Sequence, residues 1–93
     1  MIEEITKEQC EPVWRGPLPW LIEKRWFRSG VVRGILIFDN ADHDWSFITL
    51  WPDENRVYRG VDLGCNFKTP DEAIVALHKS MNAQPMDSPK LVL

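Results

Sequence analysis

Three groups of residues in this 93-residue chain carry side chains that could do chemistry. The first is Asp39, Asp42, His43 and Asp44, the one compact cluster of metal-ligand types. Carboxylates beside an imidazole can hold a cation, or a carboxylate can orient His43 as a general base. The spacing matches neither a Ca²⁺ loop, with its central glycine and terminal glutamate, nor a zinc site, with its spaced His or Cys ligands. Asp and Asn also accept turn backbone readily, so each residue of the cluster has a turn explanation.

The second group is Cys65 with His43 or His78 as its base. A nucleophilic thiol needs an imidazole within hydrogen-bond reach and a lowered pKa. Cys65 shares strand parity with Leu63 and Phe67, which predicts burial as a small hydrophobe. His78 falls toward the end of a predicted helix, where a cation on the surface suits the helix dipole. Gly60 and Gly64 frame a short segment without the lysine and hydroxyl of a phosphate loop. These residues lead us to expect no enzyme, no cofactor and no metal.

The third group is a charge and aromatic asymmetry. From Arg15 to Arg33 there are five bases (Arg15, Lys24, Arg25, Arg28, Arg33) and one acid, Glu23. From Asp39 to Glu54 there are five acids and no Lys or Arg. Trp20, Trp26 and Phe27 are interleaved with the bases. Trp and Arg together are the usual anchors of protein–protein hot spots, and aromatics beside bases also suit single-stranded nucleic acid. The net charge of −3 weighs against nucleic acid, because phosphate binding wants a basic excess. A plain structural account competes with both, in which the aromatics are core and the bases pair with acids on the next strand. Trp20, Arg25, Trp26, Arg28, Trp45 and Trp51 are the candidate interface residues.

The elements that must position these side chains can be read from periodicity. Thr6-Lys7-Glu8-Gln9 fits a capping box, so a short helix is predicted there, limited by Pro12. Gly16-Pro17-Leu18-Pro19 reads as a stiff connector. Residues 20–28 read as a strand in preference to a short helix, because Ser29-Gly30 follows as a turn signal. Val31–Phe38 is a central strand with Gly34 as a close-approach point. Asp44–Trp51 alternates, with Trp45, Phe47, Thr49 and Trp51 on one face. Pro52–Asn55 is a turn with Pro52 at its first central position. Arg56–Phe67 alternates again, with Gly60 or Gly64 marking a bulge.

Thr69-Pro70-Asp71-Glu72 then predicts a helix start: an N-cap threonine, proline at the first helical position and acids at the positive end of the dipole. Ala73, Ile74, Leu77 and Met81 form its apolar stripe, and it should fade near Asn82.

The fold class implied is α+β: an antiparallel meander of three or four strands with one C-terminal helix on one face. Residues 1–19 form an N-terminal arm, 20–82 the domain and 83–93 a tail. The two cysteines, 55 positions apart, suggest reduced thiols. The acidic start is wrong for a signal peptide, and no apolar stretch approaches a membrane span. The expected location is the cytoplasm.

One helix cannot cover both faces of a sheet in a chain with five tryptophans, so the second face is expected to seek a partner. The expected function is a small non-enzymatic protein-interaction domain of accessory or inhibitor type, such as a mobile element carries, acting as a homodimer or on another protein. A second reading is a small-molecule site between sheet and helix lined by Trp45, Trp51 and Phe67. A third is a single-stranded nucleic-acid module using Arg25, Trp26 and Arg28.

Overall fold

A computed structural model of the chain describes residues 1–10 and 19–84. The strands are β1 (Glu3–Ile5), β2 (Leu21–Ser29), β3 (Val32–Asp39), β4 (Asp44–Pro52) and β5 (Tyr58–Phe67), followed by helix α1 (Pro70–Ala83). They form one antiparallel sheet in the order β1-β2-β3-β4-β5. The α+β class is as expected, with one strand more. Three residues, two of them acidic, are too few to show an alternating pattern, and β1 owes its place to cross-strand partners on β2. Most of the predicted connector at 16–19, and the tail from residue 85, lie outside the described residues.

Each turn uses its polar residues on the backbone. Gly30, at φ 59°, turns β2 into β3. In the next turn the Asp39 carboxylate accepts from the amides of Ala41 at 2.9 Å and Asp42 at 3.1 Å, and His43 is left-handed at φ 55°. In the β4–β5 turn Asp53, not Pro52, is the organiser. Its Oδ1 accepts from Asn55 N at 2.8 Å and Val57 N at 2.9 Å, while Pro52 completes β4. The predicted short helix is a single turn. The capping box still forms, with Gln9 Oε1 accepting from Thr6 N at 2.9 Å and Thr6 Oγ1 from Gln9 N at 3.2 Å.

Helix α1 begins where expected. Thr69 Oγ1 accepts from Glu72 N at 3.2 Å, and Pro70 occupies the first turn. Ala73, Leu77 and Met81 are buried against Phe27, Val32, Leu36, Phe47 and Trp51. Gly34 makes the close approach possible: a Cβ there would stand 2.6 Å from Met81 Sδ and 2.8 Å from Leu77 Cδ1. Beside it, Ser80 and Thr49 share a buried hydroxyl–hydroxyl bond of 2.9 Å, so neither polar group is stranded.

The face away from the helix differs from expectation. Ile35, Ile37, Ile48 and Leu50 form a second buried cluster, and Ile35 and Ile37 are at most 1% exposed. Leu21, Trp26 and Tyr58, long side chains from the flanking strands, pack against them. The centre of this face is therefore closed, and exposed apolar surface must be sought at the sheet's margins.

Strand β5 also departs from simple alternation. Its register against β4 shifts twice: between Gly60 and Asp62, and between Gly64 and Phe67. Val61 is the extra residue of the first bulge, and the second contains Asn66 at φ 67°. Each bulge reverses which parity faces the helix, so the predicted single apolar face of β5 does not exist.

Candidate interaction surface

The six candidate residues do not share one surface. Trp51 is 4% exposed and lies in the helix-side core. Trp45 borders that core, its ring centroid 5.0 Å from that of Phe38. Phe67 pairs with it across the strands. Trp26 lies on the other face against the second cluster, and its indole N–H donates to Glu23 at 3.2 Å. A bulge at Lys24 places Glu23 and Trp26 on that common face. Trp20, just before β2, is exposed, as is Ile22 on the part of β2 that β1 does not cover.

Arg25, Arg28 and Arg33 are engaged, but not with the acidic segment predicted to face them. Arg25 forms a two-pronged pair with Glu4, its Nε donating at 2.9 Å, and its guanidinium lies 5.5 Å from the Phe27 ring centre. Arg28 holds Glu3, with Nε donating at 2.8 Å. In the cross-strand register, Glu4 and Arg25 project on the helix side and Glu3 and Arg28 on the other, so the two pairs grip β1 from both faces. Arg33 is different. It is 7% exposed, donates Nη1 to the carbonyls of Gly30 and Val32, and lies over the Tyr58 ring.

The Arg25 guanidinium holds the Glu4 carboxyl below its usual range, chiefly by hydrogen bonding, and Glu4 in turn raises Arg25. A carboxyl whose folded pKa is depressed contributes stability above its unfolded pKa and loses it as pH falls through the folded one. The attachment of β1 should therefore weaken below about pH 4.3, the ordinary glutamate value. The expected result in a carboxyl-carbon NMR titration is a Glu4 midpoint below that value, returning toward it in Arg25→Gln. An unchanged midpoint in the variant would remove Arg25 as the cause. The pair is exposed, so its effect on global stability is small.

The residues considered for chemistry also have structural places. Asp39 and His43 belong to the β3–β4 turn described above, and among the described residues no group of three or more His, Cys, Asp or Glu is placed to hold a metal. Cys65 is exposed, because the second bulge moves it off the predicted apolar side. His78 is half-buried and edge-on to Phe27 of β2 at 5.2 Å, with β3 and β4 between that strand and Cys65 on β5. Cys10 is buried, and the two cysteines are not joined by a disulfide. No helix among the described residues is long and apolar enough to cross a membrane.

The exposed apolar surface gathers instead on β5 and the turn before it. Leu63 is 64% exposed, Val57 51% and Val61 46%. Among the described residues no strand pairs with the outer edge of β5. The Leu63 amide donates to its neighbour Asp62 Oδ1 at 2.9 Å. Sequence reasoning missed this edge because it read β5 as one more half-buried strand. The available signal was topological: the last strand of an open meander has a neighbour on one side only.

Compared with protein-family models, with curated proteins and with solved structures, the chain matches none.

Proposed function

We propose that this chain is a small protein-interaction domain that acts as a homodimer, joined through the outer edge of β5. The observation that carries the reading is the contrast between the two edges of the sheet. β1 is three residues long, acidic and clamped by two ion pairs, which are features that discourage edge pairing. β5 is ten residues long, has no lysine, and leaves Val61 and Leu63 in water. An added strand satisfies the free main-chain donors and acceptors of such an edge, while its side chains cover the apolar ones.

On this reading the Trp/Arg segment of β2 is scaffold, since its bases hold β1 and Trp26 packs the second cluster. Two unbridged thiols support a reducing compartment, which agrees with a cytoplasmic location.

Sedimentation velocity at two widely separated concentrations tests the proposal. The expected result is a concentration-dependent dimer that Leu63→Lys reduces to monomer while its circular dichroism stays native. A strictly monomeric wild-type protein at high concentration would overturn it, as would a dimer that Leu63→Lys leaves intact.

A further inference from the structure

Resting on the β5 reading, we infer that the second copy docks antiparallel to the first about a two-fold axis between Gly60 and Val61, so that Arg59 of each copy faces Asp62 of the other.

The bulge in β5 fixes the register. In a regular strand, residues an odd number apart point to opposite faces. The extra residue at Val61 breaks that rule. Arg59 pairs with Trp51 and Asp62 with Thr49, so both take the helix side. Tyr58 pairs with Pro52 and Leu63 with Ile48, so both take the other side. Outward from the point between Gly60 and Val61, the faces therefore read the same in both directions.

A two-fold interface requires that symmetry, because each patch meets its own copy in reverse. Across an antiparallel pair, opposed residues project on the same face. The axis thus sets Arg59 against Asp62, and Tyr58 against Leu63. The first is an opposite-charge contact and the second an apolar one, and both occur twice. A register one residue off would oppose side chains that project to different faces, and an axis one residue nearer Asp62 would set Arg59 against Gly64 and Leu63 against Gly60, giving up both the opposite-charge and the apolar contact.

The flanking groups are compatible with this register. Arg59 donates its Nε to Asp53 Oδ2 at 3.0 Å, and its side chain is 71% exposed. Asp62 uses Oδ1 for the Leu63 amide, leaving Oδ2 to accept. These are the only charged side chains on β5. The helices also fit. α1 rests on β3, β4 and β5 and so lies over β4. Joining the β5 edges puts the two helices on the same side, three strand spacings or about 14 Å apart, against a helix diameter of about 10–12 Å.

Charge reversal tests the register. Dimer dissociation constants from sedimentation should weaken about tenfold in Arg59→Asp and in Asp62→Arg, since each turns two attractive contacts into repulsive ones. The double variant, which restores opposite charges across the axis, should return to within about threefold of wild type. Circular dichroism checks the fold. If Arg59→Asp disturbs the turn at Asp53, Asp62→Arg decides, because it leaves that pair intact. Unchanged dimerisation in Asp62→Arg, or a double variant weaker than both singles, would overturn the register while leaving the β5 homodimer standing. A wild-type protein that does not self-associate overturns both.

Discussion

Leu77→Ala is expected to lower the free energy of unfolding by about 2–5 kcal/mol, read from urea denaturation with an unchanged slope. Leu77 is fully buried where α1 crosses the sheet, among Leu36, Phe47 and Met81. The truncation removes transfer free energy and leaves a cavity that the flanking Ala73 cannot fill. A domain of this length has a total stability of only about 5–14 kcal/mol, so the loss is a large share of the whole. Val75→Ala, two residues earlier on the exposed side of the helix, provides the comparison. It should fall within about 0.5 kcal/mol of wild type. If the two variants unfold at the same urea concentration, α1 does not seat on the sheet by the stripe described above.

Gly64→Ala is the second large effect, and it comes from an added atom. The Phe47 ring lies directly over the Gly64 backbone, so a Cβ would stand 2.2 Å from Cε2 and 2.8 Å from Cζ. Phe47 is itself buried in the helix-side cluster, and its ring has little room to retreat. Overpacking of this kind costs about 1–3 kcal/mol. The cause is separable by a double-mutant cycle. In a Phe47→Leu background, where the ring is gone, the same Gly64→Ala change should cost about 1 kcal/mol less or become neutral. An equal penalty in both backgrounds would place the strain in the β5 backbone instead of against Phe47.

Both effects concern contacts between elements, and that is where the sequence was hardest to read. The elements themselves were legible. Thr69-Pro70 and the Ala73, Leu77, Met81 spacing are local signals, and the helix starts and packs as they require. Gly34 was legible as a close-approach point because a glycine inside a β-branched run has few other reasons to be there. Side assignment failed wherever a bulge intervened. One extra residue at Lys24 or Val61 inverts every side chain beyond it; Gly60 and Gly64 did mark the two β5 bulges that begin at them, while nothing in the type of Lys24 marks the one in β2. The same failure put Cys65 inside and overlooked Leu63 outside. The pairing of Arg25 and Arg28 was also hidden, since Glu4 and Glu3 are more than twenty residues away in the chain. Their short strand has no pattern of its own, so nothing local ties it to β2.

The succession of strands in the sheet matches their succession along the chain. Each of the three hairpins from β2 to β5 therefore closes a loop of a few residues, and the entropy lost in closing it is small. Such local pairing allows rapid assembly, each hairpin presenting a finished edge on which the next strand can zip. β1 is the exception, since the separation in sequence between Ile5 and Leu21 exceeds that of any hairpin loop and costs more to close. Loop-closure entropy therefore ranks β1 behind the β2–β5 hairpins in assembly, and the sheet from β2 to β5 with α1 does not wait on the beginning of the chain.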